Sequence, residues 1–401
     1  MLAFAVADTA GGPSLAHIVS RFTKEGWVAE STAASSLPDD ESALSTFPKY
    51  APVYVATHKE ACRVARYSPD GQFVATGGAD CAMKILDTHQ MARLVALKAP
   101  NARHTLSMSA SELIDAQNDI RPVFKTYTDH TAPINDVDFH PTTTYAASCS
   151  RDRSIRLFDY SRHTKRANRQ IDDVFNIRSI NFHPTGDFLL VGTEDPPIRI
   201  YDVNTLQAYV NIQPDQHHTA AVTMVRWSPQ GNVFVSSARD GSIKVWDTVS
   251  CQCVRTIRNA HTGASVSSVC FDARGTHVLS SGQDNTARLW DIGTGELVTR
   301  YDGGNHSRSR LNASFSSCGE FVLMPDETKK VVNVWDKRRG DAFACEPVQS
   351  WHSRQVKFVA TSPTDQSMVT CSDDGRARFW MVPEPSAHEA VAATEESTLG
   401  K

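Results

Sequence analysis

The stretch HTAAVTMVRWSPQGNVFVSSARDGSIKVWD, residues 218–247, decides the fold of this 401-residue chain. A histidine opens it, and three short apolar runs follow, separated by a Ser-Pro-x-Gly turn and an Asp-Gly turn. Short runs of this kind between Gly, Pro and Asp turns are typical of β-strands. The stretch therefore predicts three strands joined by tight turns and ending on Trp246-Asp247.

The same layout recurs along the chain, with the aspartate of the second turn as its marker. The marker residues are Asp80, Asp152, Asp195, Asp240, Asp284, Asp326 and Asp374. They are roughly 40 to 50 residues apart, except for a longer first gap, and repeats of this length ending in Trp-Asp are typical of WD40 β-propellers. We therefore predict an all-β fold, a seven-bladed WD40 propeller over residues 52–381 with an insertion in the first blade at residues 88–121.

Polar residues at fixed distances from the marker predict an internal brace in each blade. A His, a Ser or Thr, the turn Asp and a Trp are expected to form one buried hydrogen-bond chain, because buried polar groups must be paired. The predicted members are His58, Thr76, Asp80, His130, Ser148, Asp152, His218, Ser236, Asp240, Trp246, His261, Ser280, Asp284, Trp290, His352, Thr370, Asp374 and Trp380. Ser, His and Asp also form hydrolase triads, but a set repeated in several blades indicates a structural role.

Two units depart from this pattern. Val191 and Val322 replace the hydroxyl residue in the third and sixth units, and the third unit also has no histidine. His306 is the expected histidine of the sixth unit. Because their hydrogen-bond chains are incomplete, we expect these two blades to be the softer ones.

Composition and motifs narrow the function. The net charge of −4 gives no bulk attraction to nucleic acid or anionic membranes, and no run approaches the ~18 apolar residues of a membrane span. An odd number of scattered cysteines suits reduced thiols in the cytosol or nucleus. No phosphate-binding loop, dinucleotide turn or H-E-x-x-H motif is present. We expect no cofactor, metal, small-molecule substrate or catalytic residue.

The regions outside the propeller carry separate predictions. Residues 1–51 are expected to form a helical segment and linker, with a short amphipathic helix at 14–30, and residues 382–401 an acidic, disordered tail. The helix needs a surface for its apolar face, because a helix this short is marginal alone. The candidate dimerisation residues are Leu15, Ile18, Val19, Phe22 and Trp27. A docked or disordered arm is the alternative.

Two further segments bear on the propeller itself. An apolar strand at Val53–Ala56 has no blade ahead of it, while the seventh unit lacks a fourth strand. We expect this strand to become the fourth strand of the seventh blade, because ring closure removes open sheet edges. The insertion is predicted to be a long loop with a helix around Ser109–Gln117. Loops of that length in a compact domain are usually functional or disordered.

Basic residues are predicted around the mouth of the central channel, either at the start of an innermost strand or just before a turn aspartate. This basic rim comprises Arg63, Asn135, Arg151, Arg178, Arg239 and Lys357. In the sixth blade the same strand spacing points to Leu311, which is neutral. It is expected to receive an acidic or carboxylate-bearing partner segment, and a solvated rim with chance clustering is the alternative. A second basic run at residues 162–169 lacks interleaved aromatics, so RNA contact is expected to be indirect.

Several blades resemble one family of WD40 proteins. The motifs are THKEACRVARYSPDGQFVATGGADCAMKILD in the first blade, FHPTGDFLLVGTEDPPIRIYD in the third, VLMPDE in the sixth and TCSDDGRARFW in the seventh. They are similar to the WD-repeat subunit of cleavage stimulation factor, over about residues 52–380.

The resemblance implies a nuclear, non-enzymatic scaffold in pre-mRNA 3′-end cleavage and polyadenylation. It also implies binding to the large helical-repeat subunit of that factor and dimerisation through the N-terminal domain. That domain is longer in the family, and this chain matches only something like its first helix, residues 15–26. The alternative function is a WD40 adaptor of another complex, such as a substrate receptor for ubiquitin ligation.

Overall fold

The computed structural model of the chain describes residues 4–6, 47–98, 120–211, 213–340 and 344–382. Within these ranges the elements, in chain order, are β1 (Phe4–Val6), β2 (Ala51–Thr57), β3 (Cys62–Tyr67), β4 (Phe73–Gly78), β5 (Met83–Asp87), α1 (Thr88–Lys98), β6 (Val123–Tyr127), β7 (Ile134–Phe139), β8 (Tyr145–Ser150), β9 (Ser154–Asp159), β10 (Arg169–Asp172), β11 (Ile177–Phe182), β12 (Phe188–Thr193), β13 (Arg199–Asp202), β14 (Ala208–Asn211), a 3₁₀ turn (Pro214–Gln216), β15 (Val222–Trp227), β16 (Val233–Ala238), β17 (Ile243–Asp247), β18 (Cys253–Ile257), β19 (Val266–Phe271), β20 (His277–Gly282), β21 (Ala287–Asp291), β22 (Leu297–Tyr301), β23 (Ser314–Phe315), β24 (Phe321–Pro325), β25 (Val331–Asp336), β26 (Ala344–Gln349), β27 (Val356–Thr361), β28 (Ser367–Ser372) and β29 (Arg376–Met381).

The strands form seven antiparallel sheets, as the repeat predicted. Blades one to six are β3–β6, β7–β10, β11–β14, β15–β18, β19–β22 and β23–β26, each with its first strand innermost. Blade seven consists of β27, β28, β29 and β2. The innermost strands of blades one to five contact one another in turn, β27 contacts β3 across the junction of the last and first blades, and β23 of blade six contacts β27. The prediction of a seven-bladed propeller is confirmed.

Ring closure depends on β2. This strand pairs with β29 from Ala51↔Met381 to Thr57↔Arg376, so an early segment of the chain supplies the outer strand of the last blade. The predicted closure by the Val53–Ala56 segment is confirmed. Pairing in this way covers an edge of β29 that would otherwise be open to other chains.

The insertion in the first blade begins with a helix that the sequence analysis missed. Helix α1 starts directly after β5, and the Asp87 carboxylate caps it by accepting a hydrogen bond of 3.0 Å from the Gln90 N–H. Leu94 and Leu97 pack with Ile120 and with Tyr54 of β2. The helix therefore supports the closing strand. The helix predicted at residues 109–117 lies outside the described residues.

The blades are held together by apolar side chains between adjacent sheets. Gly77 of β4 shows how closely they pack, because a Cβ atom there would lie 2.7 Å from Ile134 Cγ2 in the next blade. Large aromatic side chains such as Trp246 and Trp380 are fully buried. Such interiors are close-packed, so each blade fixes the position of its neighbour.

The flanking regions are only partly described. Strand β1 pairs with β14 at the outer edge of blade three, with Phe4 opposite Asn211. The predicted helix at 14–30, its candidate dimerisation residues and the predicted acidic tail lie outside the described residues. No helix in the described ranges is long and apolar enough to cross a membrane.

Candidate partner-binding surface

One face of the propeller carries the loops that enter the innermost strands and the turns that hold the marker aspartates. We call it the upper face. His58, at the entrance to blade one, lies 3.1 Å from the Asp80 carboxylate, which shows that the two sets of loops meet there. The turns between the first and second strands of each blade lie on the opposite, lower face.

The structure brings the predicted brace residues together in blades one, two, four, five and seven. The His Nε2 atoms lie 2.7–2.9 Å from the Ser or Thr hydroxyls. The Nδ1 atoms of the same histidines lie 2.8–3.3 Å from the turn aspartates. In blades four, five and seven the indole N–H of Trp246, Trp290 or Trp380 donates to the hydroxyl at 2.9 Å.

Burial and hydrogen bonds shift the pKa values of the brace residues. Burial raises the pKa of the Asp240 and Asp284 carboxyl groups, but hydrogen bonds from histidine and hydroxyl groups outweigh it, so both pKa values are lowered overall. Burial likewise lowers the pKa of His218 and His261, which favours their neutral forms. The histidine side chains are fully buried. Groups that satisfy one another inside a blade indicate structural rather than catalytic roles.

Blade three uses a different brace. Arg199 donates to Asp195 at 2.9 Å and pairs with Asp173 at 3.2 Å, and the Tyr201 hydroxyl donates to Asp173 at 2.9 Å. An arginine and a second carboxylate thus occupy the place of the missing histidine and hydroxyl. That the blade is softer than its neighbours stays a prediction, which amide hydrogen exchange can test.

Blade six corrects one prediction. Asn305, not His306, reaches the turn aspartate, and its backbone N–H donates to Asp326 at 3.1 Å. The His306 ring instead lies 3.0 Å from the Ser267 hydroxyl of blade five. The turn after Asp326 is longer than in other blades, and Glu327 accepts backbone N–H bonds from Ser307, Arg308 and Ser309. The residue after the histidine makes this backbone contact in blades one, two, four and seven, so Gly304 takes the place of the histidine in blade six.

A cavity opens at the upper end of the central channel, the space enclosed by the innermost strands. It has a volume of about 80 Å³ and is lined by Arg63, Asn135, Met224, Arg310, Asn312, Lys357 and Phe358. We call these seven residues the channel mouth. Three members of the basic rim lie here, while Arg310 was missed because the sequence spacing pointed to Leu311. Leu311 is fully buried, and the Arg310 guanidinium reaches across to donate to the Arg178 carbonyl at 3.1 Å.

The remaining rim residues surround this mouth, and ion pairs balance part of the positive charge of the rim. Arg178 pairs with Glu194 at 2.6 Å, and Lys357 pairs with Asp373 at 2.8 Å. Arg63, Arg151 and Arg239 form no ion pair with any residue that the structure describes. Burial lowers the pKa of Arg63, and the nearby Arg151 lowers that pKa further, so like charges crowd together on this face.

Below the mouth the channel holds paired charges. Arg226 donates through both Nη atoms to Asp136 Oδ2 at 3.0 Å, and the two side chains are 6% and 1% exposed. Burial raises the pKa of Asp138 to about 6, even though it accepts bonds from Asn181 and the Phe182 N–H. The carboxylates in the floor of the channel are therefore bonded to groups of the chain itself, whereas the side chains at the mouth face outward.

Exposed apolar side chains accompany the cations on the upper face. Trp351, in the loop entering blade seven, is 70% exposed and has a φ of 55°. A left-handed backbone costs a residue other than glycine about 1–2 kcal/mol. The backbone at Trp351 is therefore strained in the conformation that exposes the indole. Val174 and Phe175, in the loop entering blade three, are also exposed. Sequence analysis missed all three, because single apolar residues in loops carry no periodicity.

The other candidate sites are less developed. In the second basic run, Arg162 pairs with Asp159, and Arg169 donates to the carbonyls of Val203 and Asn204. Both cations are thus engaged within the chain. Across the part of the chain that the structure describes, no cluster of three or more His, Cys, Asp or Glu residues could hold a metal ion.

Comparison with known proteins agrees with the repeat structure. The family model described as WD domain, G-beta repeat matches residues 51–87, 122–159, 211–247, 251–291 and 344–381. The unmatched stretches contain the first three strands of blades three and six, whose braces lack the usual hydroxyl. Cleavage stimulation factor subunit 50 of Arabidopsis thaliana is 39% identical over 337 residues, which is 84% of this chain and 74% of that protein.

More distant relatives share shorter stretches. The nuclear distribution protein PAC1-2 of Uncinocarpus reesii is 36% identical over 146 residues, 33% of this chain and 30% of that protein. The WD repeat and HMG-box DNA-binding protein 1 of Xenopus laevis is 28% identical over 141 residues, 34% and 12% of the two chains. These matches are limited to a few blades.

Proposed function

Because this chain belongs to the family of cleavage stimulation factor subunit 50 and to the WD40-repeat proteins, we propose that it is a non-enzymatic scaffold of that complex. In this role it acts in the nucleus and supports pre-mRNA 3′-end cleavage and polyadenylation. The observation that carries the proposal is 39% identity across 84% of the chain, whereas the more distant relatives share only about a third of it. Propellers host many functions, so the partner must be inferred from the residues on the surface.

The proposed partner is the large helical-repeat subunit of the same factor, held on the upper face. The basic rim supports this, because uncompensated arginines on one face steer and hold acidic partners. Trp351 supports it as well, since exposed tryptophans are frequent anchors of protein interfaces. Self-association through residues 15–27 is a separate proposal. RNA contact is proposed to be indirect, through the assembled complex.

The rim can be tested by reversing two of its charges. The pair Arg63→Glu and Lys357→Glu is expected to weaken capture of the purified large subunit by about tenfold or more, because close charge pairs at interfaces contribute on the order of 1.5 kcal/mol or more each. Thermal stability should be nearly unchanged. The measurement is a pull-down with purified proteins at low and moderate ionic strength.

The matched control is the pair Arg274→Glu and Arg338→Glu. Both residues are exposed and lie in lower-face turns, so they change the net charge equally without touching the rim. The control should capture the large subunit as well as the unaltered chain does. Equal capture by the rim variant would remove the upper face from the proposal.

A further inference from the structure

We propose that the channel mouth is a pocket for a single carboxylate, supplied by an aspartate or glutamate side chain of the partner protein. This inference rests on the proposed function, because it names the chemistry by which the partner would be recognised. The pocket exists in the chain alone as a cavity of about 80 Å³. No part of the brace network contributes to it.

The charges at the mouth favour an added anion. Three cations line it, and of these Lys357 is paired with Asp373. Arg310 faces Asp136, but that carboxylate already accepts both Nη groups of Arg226. Arg63 has no ion-pair partner among the residues that the structure describes. At least one positive charge at the mouth is therefore unbalanced.

The state of Arg310 agrees with this imbalance. Burial lowers the pKa of Arg310 to about 10; Asp136 opposes the change, and Arg178 and Arg63 add to it. The guanidinium is still charged at neutral pH, but its surroundings penalise that charge. An anion bound at the mouth would relieve the penalty, because an opposite charge within a few ångströms stabilises a buried cation.

Size and lining select the kind of anion. The cavity of about 80 Å³ has room for several water-sized groups, which suits a carboxylate with its methylene group. Arginine forks match the two oxygens of a carboxylate. Asn135 and Asn312 each donate one side-chain N–H to a backbone carbonyl, and each amide has a second N–H to offer. Met224 and Phe358 supply an apolar wall for the methylene.

The test places a fixed carboxylate in the pocket. Asn135→Asp keeps the side-chain size but supplies the anion internally, and is expected to weaken binding of the purified large subunit about 30-fold or more. Asn135→Ser loses the same hydrogen bond to the Ile177 carbonyl without adding charge, and should bind within about threefold of the unaltered full chain. Arg310→Gln, which removes one pocket cation, should also weaken binding. The measurement is isothermal titration calorimetry on full chains.

The outcomes separate the pocket from the proposed function. If the unaltered chain does not bind the large subunit, the proposed function fails. If it binds, and both Asn135→Asp and Arg310→Gln bind equally well, the pocket inference is overturned while the function stands. Acidic residues of the partner are then changed singly to their amides, and one of them should reproduce the loss. The pocket inference would also be overturned if amidation of the partner's C-terminus, rather than of a side chain, abolished binding. It would be overturned as well if inorganic phosphate competed with the partner as strongly as glutarate does.

Discussion

A chain that begins at His58, and therefore lacks β2, is expected to unfold about 10 °C or more below the full chain. Removing β2 strips the outer strand from blade seven and leaves the outer edge of β29 unpaired, while its other edge stays paired with β28. About five backbone hydrogen bonds at roughly 1 kcal/mol each would be lost, and 1 kcal/mol corresponds to about 2–4 °C in a domain of a few hundred residues. Circular dichroism during heating measures the effect.

The matched control is a chain that begins at Phe47 and keeps β2. It should unfold close to the full chain, which would show that the loss comes from the strand and not from residues before it. Loss of β2 also uncovers Leu94 and Leu97 of α1, which pack near Tyr54, so the shorter chain should aggregate on heating. Equal unfolding temperatures for the two shortened chains would contradict closure by β2.

Arg226→Met is expected to lower the free energy of unfolding by about 3–5 kcal/mol, because it removes the cation that donates two hydrogen bonds to a buried carboxylate. Asp136 is 1% exposed and would keep the bonds from the Ser179 hydroxyl and from the N–H groups of Val137 and Ile180. Denaturant unfolding measures the loss. Binding of the partner should follow the folded fraction, since this pair lies below the channel mouth.

The double variant Arg226→Met with Asp136→Asn separates charge from shape. An asparagine oxygen can still accept from Ser179 and Ile180, and neither member of the former ion pair is left charged. We expect at least half of the lost stability to return, because removing both members of a buried ion pair is far less harmful than removing one. A single variant that costs less than about 1 kcal/mol would contradict the assignment of a buried pair.

The braces could be predicted because they repeat. His218, Ser236 and Asp240 lie at fixed distances in the sequence, and the same distances recur in other units. The four-stranded blades have strands of similar length, so the same sequence spacing places these side chains at the same positions. Five blades therefore form the same contacts. The missing hydroxyls at Val191 and Val322 were likewise visible, and they mark the two blades outside the family-model matches.

Blade six was predicted less well. His306 was chosen from its spacing, but Asn305 contacts the aspartate through its backbone N–H and Gly304 takes the place of the histidine. Leu311 was chosen where Arg310 lines the channel. That choice is one residue too late, because the innermost strand β23 has only two residues and no regular alternation fixes its register.

Helix α1 and Trp351 show two other limits of sequence reasoning. Asp87 ends a strand in the repeat pattern, which concealed its second role as the cap of α1. Trp351 stands in a loop, where exposure and backbone conformation depend on neighbours distant in sequence. Interaction surfaces on propellers are built from such loops, so the fold is far easier to predict than the partner.

Purification of the tagged full-length chain from nuclear extract, with quantitative mass spectrometry of the proteins that come with it, tests the proposed function most directly. The scaffold role predicts strong enrichment of the other cleavage stimulation factor subunits, above all the large helical-repeat subunit, relative to an untagged extract. Recovery of ubiquitin-ligase subunits without any cleavage or polyadenylation factor would contradict it and would assign the propeller to a different complex.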